Sequence, residues 1–140
     1  MAALLALLMT MAAGCGRDEA GTRAATPSVI ASLDGAGALR QALDEAGDRL
    51  VVVDFYADWC MPCRQLSPML EEIARKHPDK AAFYKVDVDR HQALARAYRV
   101  TGIPHVAFIR NHETVHRIIG VQHRDAYIRA LGRFASLTDG

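Results

Sequence analysis

The sequence carries no excess of charge of either sign. Its 17 lysines and arginines stand against 16 aspartates and glutamates, a formal net charge of +1. That balance gives no support to nucleic-acid binding or to an acidic partner, and the interspersed signs are the pattern of a solvated surface. No internal repeat and no heptad run is present, so solenoid and coiled-coil readings fall away. The uncharged N-terminal stretch, residues 2–13, has twelve residues, short of the about 20 that cross a bilayer core as a helix. Cysteine is scarce, three in all. A structural zinc site wants four ligands, and there is no second cysteine pair to supply them. His112 and His116 are suitably spaced for a ligand pair, but an expected hairpin puts them far from Cys63. No metal is therefore expected. A chain of 140 residues suits one domain.

Two of the three cysteines lie in Asp54-Phe55-Tyr56-Ala57-Asp58-Trp59-Cys60-Met61-Pro62-Cys63. An apolar run, residues 50–53, leads into this stretch, and an amphipathic one, residues 64–76, leads out. The pair therefore stands where a strand ends and a helix begins. Unpaired N–H groups and the positive end of the helix dipole favour an anion there, which lowers the pKa of Cys60 and makes it the nucleophile. Cys63 is one turn on, deeper, and placed to break a mixed disulfide between Cys60 and a substrate. Pro62 suits the first helical turn because it has no N–H to lose. A purely structural disulfide would exploit loop-closure entropy, and so short a loop constrains little chain. Asp54 interrupts an otherwise apolar strand, where desolvation raises a carboxyl pKa.

The rest of the chain alternates between strand and helix patterns. Residues 29–33 read as a first strand and residues 37–46 as a first helix, ended by Gly47. Residues 50–57 form a continuous apolar run, expected to be buried on both faces. In the next helix Leu66, Met69, Leu70 and Ile73 make one stripe, with Pro68 inside it as an expected kink. Residues 81–88 read as a strand, residues 92–98 as a short helix, and residues 106–109 and 115–119 as a hairpin turning at Asn111-His112-Glu113. Tyr127, Ala130, Leu131 and Phe134 give a closing helix. The order is βαβαβαββα, an α/β fold with parallel early strands and an antiparallel final hairpin.

The run from Phe55 to Cys63 resembles the active-site motif of the thioredoxin superfamily. Asp54 matches the family's buried acid, Thr101-Gly102-Ile103-Pro104 its cis-proline loop, and Gly120 the glycine near the end of the last strand. The similarity spans roughly residues 29–134. It implies the thioredoxin fold, a mixed central sheet flanked by helices, and a thiol:disulfide oxidoreductase acting on protein disulfides with no dissociable cofactor. It further implies that Cys60 attacks, that Cys63 resolves, and that Asp54 accepts the Cys63 proton with Lys85 nearby. Trp59 would shield the cysteines and touch substrate, alongside Met61 and Pro62. Ile103, before a cis Pro104, would pair its backbone with an extended substrate. Met61-Pro62 and Ile103 are closer to the superfamily's reductants than to its oxidases. His105 stands where the family typically has Thr, and three readings are open for it: substrate choice, thiolate stability, or packing.

The N-terminal region is read separately. Residues 1–14 fit the apolar part of a secretory signal. Ala12-Ala13-Gly14-Cys15 resembles a bacterial lipoprotein cleavage site, with Ala12 where Leu is usual and no basic residue ahead of it. Lipidation of Cys15 accounts for the odd cysteine. Residues 15–28 then form a lipidated cysteine and polar tether, and residues 29–140 the domain. The expectation is a monomer on the periplasmic side of a bacterial envelope, held to the membrane by lipid on Cys15, or soluble there without it. A membrane dithiol would be its electron donor. The rival readings are a disulfide oxidase or isomerase, and a non-catalytic metal chaperone or binding module on the same fold.

Overall fold

The computed structural model describes residues 26–136. The signal region and Cys15 lie outside them. Among the described residues the elements run β1 (Ala31–Ser32), α1 (Ala36–Ala46), β2 (Leu50–Tyr56), α2 (Met61–Lys76), β3 (Ala81–Asp87), α3 (Gln92–Ala97), β4 (His105–Arg110), β5 (Glu113–Ile119) and α4 (Arg124–Ala135). One mixed sheet takes the order β1-β3-β2-β4-β5. β3 is parallel to β1 and β2, while β4 is antiparallel to both β2 and β5.

β2 lies at the centre because its sequence leaves no face for water. Leu50 through Phe55 are all buried. Side chains alternate across a strand, so Leu50 and Val52 pack with Leu66, Leu70 and Ile73 of α2 and Tyr127 and Leu131 of α4. Val51, Val53 and Phe55 pack on the other face with Leu39 and Leu43 of α1 and Leu94 of α3. The two apolar layers fix the register, since a one-residue slip would move every one of these side chains to the wrong face.

Several boundaries differ from the sequence reading by a residue or two, and β1 by more. β1 is two residues long rather than five. The Val29 N–H bonds Glu71 Oε2 at 3.0 Å and the Ile30 N–H bonds Ser28 Oγ at 3.2 Å, so these groups are committed before the ladder to β3 begins. The Ser28 hydroxyl also donates to Glu71, and Arg75 donates to the Pro27 carbonyl at 2.9 Å. The last residues of the expected tether are thus held on α2. That helix starts at Met61, with Cys60 as its cap and Pro62 in its first turn, as expected. The β4–β5 turn is confined to Asn111 and His112, both left-handed at φ +49° and +64°, the geometry that continues the twist of a two-residue hairpin.

Candidate active site

Cys60 is the N-cap of α2 in extended conformation, and its Sγ accepts the Cys63 N–H at 3.2 Å. The sulfur therefore occupies the place a capping oxygen takes elsewhere, facing the first unpaired N–H groups of a sixteen-residue helix. Cys60 and Cys63 form a disulfide, with Cα atoms 5.3 Å apart. Each is 3% exposed, so the expected greater depth of Cys63 is not a difference in solvent access. Ala57, Tyr56, Val88 and Ile103 pack around both. What separates them is position: one caps the helix, the other lies in its first turn.

A cavity of about 380 Å³ opens beside the pair. Asp54, Tyr56, Ala57, Asp58, Cys63, Arg64, Ser67 and Lys85 line it. Asp54 is 5% exposed and its Oδ1 has no hydrogen-bond partner among the described residues. Burial pushes its carboxyl up to about 7, against a smaller downward pull from Lys85, its register partner on β3. The structure therefore gathers Cys63, Asp54 and Lys85 around one space.

The Ile103–Pro104 peptide bond is cis. Ile103 packs against the cysteine cluster while Pro104 is buried. The Gly120 N–H bonds the Pro104 carbonyl at 2.8 Å from a left-handed φ of +76°, a conformation glycine adopts without penalty. Trp59 and Met61 are 68% and 62% exposed, and Pro62 is exposed beside them. A merely packed Trp59 is excluded. Its Nε1–H bonds Asp89 Oδ2 at 2.7 Å, leaving the ring on the rim of the site as an apolar contact rather than a lid over buried sulfur.

His105 packs. It is fully buried, edge-on to Phe55 at 5.8 Å between ring centroids, and neither ring nitrogen has a hydrogen-bond partner among the described residues. It pairs with Phe55, whereas Val106 pairs with Asp54, so it faces the opposite side of the sheet from Asp54. Burial, then Arg117, hold it below the ordinary histidine range. A protonated His105 beside the thiolate is therefore not supported. His112 contacts Asp44 at 3.0 Å and His116 stacks on Phe134 at 5.2 Å, so the two histidines do not converge. Among the described residues no three His, Cys, Asp or Glu side chains form a metal set. No helix there is long and apolar enough to cross a membrane.

Sequence reasoning missed two residues. Tyr56, two positions after Asp54 on the same face of β2, was legible from strand alternation. Asp89, which fixes the Trp59 indole, left no local signal.

Comparison with known proteins agrees with this geometry. The family model described as thioredoxin matches residues 36–133. Thioredoxin H4 of Arabidopsis thaliana is 39% identical over 85 residues, covering 59% of this chain and 71% of that protein. Thioredoxin-2 of Saccharomyces cerevisiae is 44% identical over 75 residues, covering 54% and 71%. Among solved structures, Fasciola hepatica thioredoxin superposes with a TM-score of 0.71 at 35% identity, covering 75% of this chain and 99% of that one. A mutant thioredoxin from Halobacterium salinarum does so with a TM-score of 0.70 at 36% identity, covering 81% and 98%.

Proposed function

Because the chain belongs to the thioredoxin family, we propose that it reduces protein disulfides outside the cytoplasm, from a lipid anchor on Cys15. The chain is a thioredoxin-like disulfide reductase, its redox group is the Cys60–Cys63 disulfide itself, and it needs no dissociable cofactor.

One observation carries the residue roles: Cys63, disulfide-bonded to the capping Cys60, shares a single cavity with the buried Asp54. In the reduced protein the α2 N–H groups favour the Cys60 thiolate. This thiolate attacks a substrate disulfide and displaces one substrate thiolate, leaving a Cys60–substrate mixed disulfide. Cys63 gives its proton to Asp54 and attacks Cys60 Sγ. The Cys60–substrate bond breaks, its electron pair leaves with the substrate sulfur, and the Cys60–Cys63 disulfide of the structure forms. A carboxyl near 7 suits that proton transfer, because a general base works best with a pKa close to the working pH. Trp59, Met61, Pro62 and Ile103 supply the apolar rim, and the backbone before Pro104 meets an extended substrate.

The location rests on the N-terminal sequence: an uncharged apolar stretch, Ala12-Ala13-Gly14-Cys15, and an odd cysteine. A membrane dithiol then fits as electron donor, since soluble cytosolic reductants do not reach that compartment. The test of the redox roles is a trap. Cys63→Ser is expected to accumulate a Cys60-linked mixed disulfide with a disulfide-bonded protein substrate, and Cys60→Ser to form none. Adducts on Cys60→Ser at the level of Cys63→Ser would overturn the assignment.

A further inference from the structure

The cavity beside Cys63 has a floor that the mechanism above does not fully use. Asp54 and Tyr56 point the same way from β2, and Lys85 and Asp87 from β3. The parallel register sets Asp54 opposite Lys85 and Tyr56 opposite Asp87. Lys85 thus has two neighbours within reach, a carboxyl directly across and an aromatic ring on the diagonal. Its ammonium lies over the ring, with Nζ 5.7 Å from the Tyr56 centroid. Lys85 forms no ion pair among the described residues, and Asp54 Oδ1 has no hydrogen-bond partner there. Asp87 is occupied too, its Oδ1 accepting the Asp89 N–H at 2.9 Å.

We propose that Tyr56 is a positioning residue: its ring face holds the Lys85 ammonium off the Asp54 carboxyl, which stays free to receive the Cys63 proton. The inference rests on the proton-acceptor reading of Asp54. Its physical basis is a competition. The ring quadrupole attracts the ammonium whatever the state of Asp54, whereas a protonated Asp54 offers no charge to hold it. Were Lys85 to close on Asp54, the carboxylate would be stabilised and its affinity for the Cys63 proton would fall. The other titratable or charged groups facing Asp54 are Asp58 from the turn after β2, Cys63 and Arg64 from α2, and Tyr127 from α4. Lys85 is the cation whose field reaches the carboxyl. Burial and the carboxylates of Asp87, Asp58 and Asp54 outweigh the opposing pull of Arg90 and keep the Tyr56 phenol above its ordinary value, so the ring stays neutral.

The test follows Cys63-dependent release of a peptide from its mixed disulfide with Cys60 as a function of pH. Tyr56→Phe keeps the ring and is expected to superimpose on the wild type. Tyr56→Leu frees Lys85 and should lower the Asp54-dependent midpoint by about one pH unit or more, the effect of an opposite charge at close range. Adding Lys85→Met to Tyr56→Leu should remove that downward shift. A folded Tyr56→Leu protein with an unmoved midpoint overturns the proposal. If Tyr56→Leu does not fold, wild-type NMR decides. The Lys85 Hε protons should be shifted upfield by the Tyr56 ring, and their absence from that region overturns it. Asp54→Asn separates the two levels. A midpoint that survives Asp54→Asn removes the proton-acceptor reading and the proposal with it. A midpoint lost in Asp54→Asn yet indifferent to Tyr56→Leu overturns this inference alone.

Discussion

Ionisation of Asp54 should cost the fold a large part of its stability, and the cost should appear over a defined pH window. The carboxyl sits at about 7 in the folded chain, against an ordinary value of 3.8, because β2 buries it with one oxygen unpartnered and no ion pair to compensate among the described residues. Each pH unit of that gap corresponds to about 1.4 kcal/mol, so the whole gap amounts to about 4 kcal/mol. Below 3.8 both folded and unfolded chains hold the proton and Asp54 contributes no pH dependence. Between 3.8 and about 7 the folded chain keeps a proton that the unfolded chain has released. Stability must therefore fall as pH rises through this range, and the loss is complete above about 7. A loss of that size is a substantial share of the roughly 5–15 kcal/mol typical of a domain.

The assay compares guanidinium unfolding of the oxidised wild type with that of Asp54→Asn, by far-UV circular dichroism, from about pH 4 to about pH 8. His105 and His116, both held below their ordinary range chiefly by burial, act in the opposite sense. Their folded forms resist a proton that the unfolded chain accepts, so acid destabilises them. They are common to both proteins and cancel in the difference. Asp54→Asn buries an amide whose cost does not vary with pH. The difference between the two curves should therefore grow by about 4 kcal/mol in favour of the variant from the acid to the alkaline end. Curves that stay parallel across the window would show that Asp54 titrates as an ordinary carboxyl, and the argument from burial would fail.

Two further predictions concern direction and place. Equilibrated against dithiothreitol, the Cys60–Cys63 pair should show a potential toward about −270 mV, that of thioredoxin, since Met61-Pro62 adds no charged donor at Cys60 and His105 faces the other side of the sheet; a value near −120 mV, about that of a strong periplasmic oxidase, would make it a disulfide donor instead. Cys15→Ala should move the protein from the membrane to the soluble fraction in a bacterial host, and wild-type protein found wholly in the soluble fraction would remove the anchor without touching the redox chemistry.

Sequence pattern carried the elements whose cause is local. The apolar run at β2, the stripe along α2 and the turn between β4 and β5 each follow from spacing alone. β1 was overcalled because its shortness depends on Glu71, 42 residues from the Val29 N–H it accepts. The cysteines and Asp54 were legible because a thiol pair at a strand–helix junction and an acid in an apolar run each conflict with their surroundings. Side-chain arrangement across strands was not legible. Whether His105 faces the cysteines or the opposite core depends on which residue of β4 pairs with Asp54, and the grip of Tyr56 on Lys85 depends on the register of β2 with β3. Trp59 was expected near the nucleophile, but its exposure is settled by Asp89, thirty residues on.

The clasp of residues 27–29 on α2 bears on how the domain is presented. Burial pushes the Glu71 carboxyl up, yet the Ser28 hydroxyl, the Val29 N–H and Arg75 outweigh it and hold the group below its ordinary value. It therefore grips as an anion at neutral pH. Glu71 lies eleven residues beyond Cys60 on the same helix, about 16 Å along its axis. The clasp is therefore on the half of α2 remote from the disulfide. The chain thus joins the domain away from the Cys60 end of α2, where Trp59 and Met61 stand exposed.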